Sequence, residues 1–196
     1  MEIWGIILGV AGIGLAVAVP VCLLWLEKPR LEIMPASWQP QGVVLWWFAV
    51  LRVRNKPLPR WMRAVLRRDI APRCSVTAEF LGAPFAVIDL RWSAAGNGMP
   101  PASQELLAQS KELDLAPSDD GQEIAMAILH QDGTANAYSA ESYTLPPPWA
   151  DPRLLLTQQT YLVKVVARSA GEEKEALFEL PYLGPNFNQF ATRAKR

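Results

Sequence analysis

From Ile3 to Leu26 the chain reads IWGIILGVAGIGLAVAVPVCLLWL without one charged side chain. A helix of that length covers the roughly 30 Å hydrocarbon layer of a bilayer, so residues 1–29 are expected to form a single transmembrane α-helix. A cleaved signal peptide needs a basic n-region and a small-x-small site, whereas only Glu2 stands between Met1 and this run. Val21 before Cys22 is not the small residue that precedes a lipidated cysteine. Trp4 and Trp25 bracket the run as interfacial tryptophans do. Basic residues are absent before it, and Lys28 and Arg30 follow at once. That asymmetry expects a single-pass protein of the cell membrane with its main domain in the cytoplasm.

Gly5, Gly9, Gly12 and Ala16 recur at helical spacing, on one face of the expected helix. Small residues let a second helix approach closely, so this face reads as a packing seam for a homodimer or a larger membrane-protein partner. Glycine is common in membrane helices generally, and a lipid-facing surface is the competing reading.

Residues 30–185 are expected to form one domain, with a basic tail at 186–196. The 17 prolines argue against a helical bundle. Short strands are expected at Arg30–Pro35, Val43–Arg54, Cys74–Leu81, Phe85–Trp92, Glu112–Leu115 and Glu123–His130, and in a terminal hairpin through Tyr161–Val166 and Ala176–Leu180. Gly82-Ala83-Pro84 suggests that the Cys74 and Phe85 strands form a hairpin. Gln104–Ser110 is expected to make a short helical stretch. Residues 134–152, with Pro146-Pro147-Pro148, are expected to be an extended surface loop. Seven or eight strands between regular turns predict an all-β antiparallel sandwich. Leu51-Arg-Val-Arg-Asn55, Ala71-Pro-Arg-Cys-Ser-Val76, Leu90-Arg-Trp92 and Thr160-Tyr-Leu-Val-Lys-Val-Val166 resemble the pattern of uncharacterised prokaryotic membrane-anchored immunoglobulin-like β-sandwich domains. The resemblance implies an immunoglobulin-like fold and carries no catalytic residues.

Charge gathers in one place. From Arg52 to Arg73 eight arginines and lysines face Asp69 alone, in a chain of net charge zero. A basic amphipathic insertion is expected at 56–70: if helical, it sets Trp61 beside Val65 and Met62 beside Leu66, with Arg60, Arg63 and Arg67 on another side and Arg68 following. Such a segment suits the surface of an anionic membrane. The competing readings are that Trp61, Val65 and Leu66 pack back on the sandwich, or that the arginines meet nucleic acid. No nucleic-acid motif accompanies them, and none is expected as a partner.

The chemistry is sparse. A lone histidine, His130, rules out two-histidine zinc motifs, and no Gly-x-Ser-x-Gly elbow, phosphate loop or dinucleotide turn occurs. Asp119-Asp120-Gly121 and Asp132-Gly133 read as tight turns. Two cysteines, Cys22 in the anchor and Cys74 in the domain, leave no disulfide inside the domain. No catalytic residue, metal, cofactor or small-molecule substrate is expected. The chain reads as a non-catalytic binding or scaffolding module, or as an accessory subunit of a membrane transporter or enzyme complex docked through its glycine face.

Overall fold

A strand with one face in a core turns every second side chain inward, and the chain beyond residue 30 repeats that pattern. The computed structural model describes residues 16–36, 46–64, 66–92, 111–146, 149–157, 160–181 and 193–194. In β1 (Leu31–Ala36) Leu31 and Ile33 are buried on either side of Glu32. In β3 (Ala71–Leu81) Cys74, Val76, Ala78 and Phe80 are buried, with Ser75, Thr77 and Glu79 between them. In β10 (Thr160–Ser169) Tyr161, Val163 and Val165 do the same.

The strands form two antiparallel sheets. The first runs β1, β2 (Trp46–Asn55), β7 (Gln122–His130), β8 (Ala135–Ala137) and β9 (Leu155–Leu156), with β5 (Arg91–Trp92) also on β7. The second runs β12 (Arg193–Ala194), β11 (Glu172–Pro181), β10, β3 and β4 (Ile88–Asp89), with β6 (Leu113–Leu115) also on β3. Leu51, Val53, Ile124 and Met126 of the first sheet share one cluster with Val76, Phe80, Val163 and Phe178 of the second, which makes the fold a β-sandwich. Cys74 is part of that core, and burial pushes its thiol up to about 12.

Two expectations are corrected. The expected hairpin of the Cys74 and Phe85 strands forms only over Ile88 and Asp89, which pair antiparallel with β3, and the chain then passes to the other sheet, where Arg91 and Trp92 pair with β7. The Leu90 amide donates to the Val76 carbonyl at 2.9 Å, and the Trp92 indole donates to the Cys74 carbonyl at 3.0 Å, so the crossing stitches both sheets together.

Residues 134–152 are not an extended surface loop. Ala135–Ala137 is a buried strand of the first sheet, and Tyr138, Ala140, Ser142 and Trp149 are buried after it. The cause is an apolar outer face on the first sheet: Phe48 and Val50 alternate outward from Ala49 and Leu51, and a bulge in β7 opposite Ala49 and Val50, where the register shifts by one residue, puts Ile128 on the same face as Ala125. Phe48, Val50, Ala125 and Ile128 therefore gather in a second apolar cluster, separate from the inter-sheet core. Tyr138 and Trp149 cover it, with ring centroids 5.3 and 6.5 Å from Phe48. Trp149 reaches that cover with a φ of +58°, a left-handed backbone held by its burial.

Residues 16–27 form a helix, α1, whose Val17, Val21, Leu24 and Trp25 are exposed. Among the described residues no helix is long and apolar enough to cross a membrane. Residues 3–15 of the expected anchor, Gly5, Gly9 and Gly12 included, lie outside the described residues, as do 43–45 of the expected second strand and Gln104–Ser110. Of the expected 186–196 tail, Arg193 and Ala194 pair with β11, and the rest lies outside them too.

Gly121, at φ +72°, opens β7 against the first sheet; a Cβ there would lie 2.8 Å from both the Val53 carbonyl and the Arg54 Cβ. Gly133, at φ +85°, has nothing within 4 Å of that position. Both alanine variants incur left-handed strain of roughly 1–2 kcal/mol, and only Gly121→Ala adds overpacking of about 1–3 kcal/mol. Urea unfolding of the full chain is expected to rank Gly121→Ala clearly below Gly133→Ala.

Candidate functional site

One end of the sandwich collects the chain's unusual sequence. At the last residue of β2, Asn55 is fully buried. Its Oδ1 accepts from the Arg30 amide at 3.0 Å, and its Nδ2 donates to the carbonyls of Asp69 at 2.7 Å and Leu115 at 3.1 Å. The Asn55 carbonyl accepts from the Ser118 amide. The stretch leaving α1, the 56–70 segment and β6 are thus fixed to one side chain, and the turn before β7 to the backbone of the same residue. The Asp69 amide also donates to the Glu27 carbonyl at 2.7 Å, which ties the base of the segment to the end of α1.

The 56–70 segment is not a helix. Residues 60–64 make turns, in which the Met62 and Arg63 amides donate to the Pro59 carbonyl, and 66–70 have no regular structure. Pro57 and Pro59 supply no amide donors, and the segment is pinned instead by side chains. Leu58 is buried. Arg63 donates Nε to the Leu58 carbonyl at 2.6 Å and spans both carboxylate oxygens of Asp119 at 3.2 Å, which holds the Asp119 carboxyl below the usual carboxylate range. Arg68 is only 8% exposed and donates to the Lys56 carbonyl at 2.9 Å; its Nε has no partner. Burial, then the nearby Arg30, lowers its pKa.

The predicted surface residues therefore separate. Arg60, Trp61 and Arg67 face outward, Trp61 with 78% of its surface open. Met62 and Leu66 are half-buried, Arg63 is partly exposed but bound to Asp119, and Arg68 turns inward. Val65 lies outside the described residues, and Ala16, from the glycine face, is exposed.

Ion pairing distinguishes this end from the rest of the domain. Arg52 binds Glu123, Arg54 binds Glu32, Arg73 binds Glu112 and Arg153 binds Asp151, while Lys164 and Arg168 bind Glu175 and Glu173 across the terminal hairpin. Lys28, Arg30, Lys56 and Lys174 hold no carboxylate among the described residues, and neither do Arg60, Arg67 and Arg68. Arg30 instead lies 4.0 Å over the Trp25 ring. The count of basic residues was legible in the sequence. The contribution of Lys174, from a strand distant along the chain, carried no local signal.

Elsewhere the polar groups serve the fold. His130 is buried at the end of β7 with Nε2 on Asn136 Oδ1 at 3.1 Å, and burial lowers its pKa. Asn136 in turn donates to the Asp151 carbonyl, while Asp132 accepts from Thr134 inside its own turn. Ser139 and Ser142 lie 3.3 Å apart, oxygen to oxygen. A cavity of about 250 Å³ beside Ser139 and Asp151 also holds Arg153, whose guanidinium keeps the Asp151 carboxyl low. Among the described residues no three His, Cys, Asp or Glu side chains gather as a metal site. The chain matches no family model, no curated protein and no solved structure, so its function is read from this geometry.

Asn55→Ala strands the Arg30 amide and two carbonyls, each worth roughly 1–3 kcal/mol when buried unpaired. A loss of about 3 kcal/mol in urea unfolding is expected, with faster tryptic cleavage after Arg60 and Arg67. His130 titrates lower when folded, so the unfolded chain binds its proton first and stability falls as pH drops below the ordinary value of 6.5. Thermal unfolding between pH 7 and 5 is expected to show that loss, and to show less of it in His130→Gln.

Proposed function

We propose that this chain is a single-pass membrane-anchored, non-catalytic binding or scaffolding module, in which an immunoglobulin-like sandwich is held against the inner leaflet by the basic end around Asn55. The observation that carries the reading is the gathering of unpaired cations, with the exposed Trp61, where α1 leaves the domain. The exposed apolar side chains of α1 agree with a lipid surrounding, and the sequence from Ile3 to Leu26, which includes most of α1, carries no charged side chain.

The physics favours an anionic surface. Each cation near such a leaflet contributes on the order of 1 kcal/mol, and tryptophan suits the headgroup layer. Carboxylates neutralise Arg52, Arg54, Arg73 and Arg153 in the molecule, so those residues add little to the attraction. Arg60 and Arg67 remain available on either side of Trp61, and Arg63 and Arg68 are withdrawn by Asp119 and by burial. This narrows the surface within the 56–70 segment to Arg60, Trp61 and Arg67.

A polarity-sensitive fluorophore on Trp61→Cys, in a Cys22→Ser background where only the buried Cys74 remains, tests the contact in the reconstituted full chain. Emission is expected to shift to the blue in phosphatidylglycerol-containing vesicles and not in phosphatidylcholine alone, and R60E/R67E is expected to abolish the shift. Identical spectra in the two lipids defeat the proposal.

A further inference from the structure

At the foot of α1 a cavity of about 470 Å³ lies between the stretch leaving the helix, the residue after β2 and the start of β11. Its size falls in the roughly 300–1,000 Å³ range of small-molecule sites. Lys28, Arg30, Lys56 and Lys174 line it, opposed by Glu32 and Glu172. Glu32 is already bound to Arg54 at 2.7 Å, which leaves Glu172 as the carboxylate facing four cations. None of the four holds a carboxylate among the described residues. Four positive side chains from three separate parts of the chain converge on one hollow that the protein does not neutralise.

We propose that this cavity binds a phosphate group. Arg30 is already positioned to receive one, because its guanidinium rests on the Trp25 ring at 4.0 Å, and stacking leaves the in-plane N–H donors free for the oxygens of an anion. The three lysines add point charges on flexible stems, which adapt to an oxyanion without demanding one geometry. Arg68, buried nearby, interacts electrostatically with both Arg30 and Glu172. The cavity has room for a phosphate and an ester substituent, and Trp25 supplies an apolar wall for the latter.

The phosphate has two sources. It is a lipid headgroup if the chain is anchored as proposed above, since the cavity then opens beside the helix where headgroups lie; it is otherwise a soluble phosphate compound. The full chain in neutral detergent micelles, with ¹⁵N-labelled tryptophan and the Trp25 indole signal assigned through Trp25→Phe, is titrated with dihexanoyl phosphatidic acid and, separately, with inorganic phosphate. A saturable shift of the Trp25 signal is expected. K56Q/K174Q is expected to weaken binding at least tenfold with the other indole signals in place, and K164Q/R168Q, at cations already bound to Glu175 and Glu173 across the terminal hairpin, is expected to leave it unchanged. A response at least tenfold stronger to phosphatidic acid assigns the lipid source, and an equal response assigns the soluble one. No shift with either ligand, or a K56Q/K174Q protein that titrates like the parent, overturns the site. Because the micelles contain no other anion, this outcome is independent of whether position 61 touches a leaflet.

Discussion

A single buried amide organises the end of the domain on which the functional reading depends. Asn55 uses its carbonyl oxygen and both amide hydrogens, so burying it leaves none of its side-chain hydrogen-bonding capacity unmet on the donor side. An aspartate at this position has no donors for the Asp69 and Leu115 carbonyls, and a leucine satisfies none of the three partners. The partners are far apart in sequence, at residues 30, 69 and 115, and meet only because β1, β3 and β6 end near β2. Ser169 closes the same end of the second sheet by donating to the Pro72 carbonyl at 2.7 Å. The exit of the helix, the basic segment and the turn of the terminal hairpin are therefore held together by bonds inside the domain.

The bulge at Ala49 and Val50 plays the corresponding part for the first sheet. The extra residue in β7 lets Met126 and Ala127 both join the inter-sheet core and turns Ile128 to the outer face beside Ala125, where Phe48 and Val50 already point by regular alternation in β2. Apolar side chains then appear on the outer face, which needs its own cover. Tyr138 and Trp149 provide it, and Arg91 reaches the Ala140 carbonyl from the neighbouring strand at 3.4 Å. The sheet that carries Asn55 is consequently packed on both sides, which gives the clamp a rigid base.

The strands with clean alternation were legible because one buried face imposes period two on the sequence. Tyr161, Val163 and Val165, and Phe178 and Leu180 of the hairpin they form, follow that rule, and only Val166, buried on the opposite face, departs from it. Residues 134–152 misled for a physical reason: Ala135, Ala137 and Ala140 carry too little apolar surface to announce burial, and three prolines nearby look like punctuation. Their burial follows from the apolar outer face that Phe48, Val50, Ala125 and Ile128 present on two other strands, and no local window contains that information. The extent of the Phe85–Trp92 arm was misjudged similarly, since the passage of a strand between sheets depends on partners at Val76, Cys74 and Ala125. At the basic end the number of charges was legible. Which of them the fold neutralises was not, because Asp119 and Glu32 reach their arginines from 56 and 22 residues away.

That distinction between counted and available charge decides how the domain meets an anion. The chain is neutral, with 19 basic and 19 acidic residues, so no long-range field of the whole molecule draws it anywhere. Within a Debye length of about 8 Å, only charges lacking an internal partner act strongly on a neighbour. Most of the paired arginines lie along the sheets, and the unpaired cations lie where Glu27, Arg30 and Asp69 are bonded together. A flexible linker between a membrane helix and a basic patch would leave the patch to search for the surface. Here the bonds from the Asp69 amide to Glu27 and from Asn55 to Arg30 hold the patch at the helix itself, so that, were α1 to enter a membrane as proposed, the cations would reach the headgroup layer with little further loss of freedom. The same clamp keeps Lys56 beside Arg30, through the Lys56 amide on the Arg30 carbonyl at 2.8 Å, and so holds two walls of the phosphate cavity in register with the helix that would present its ligand.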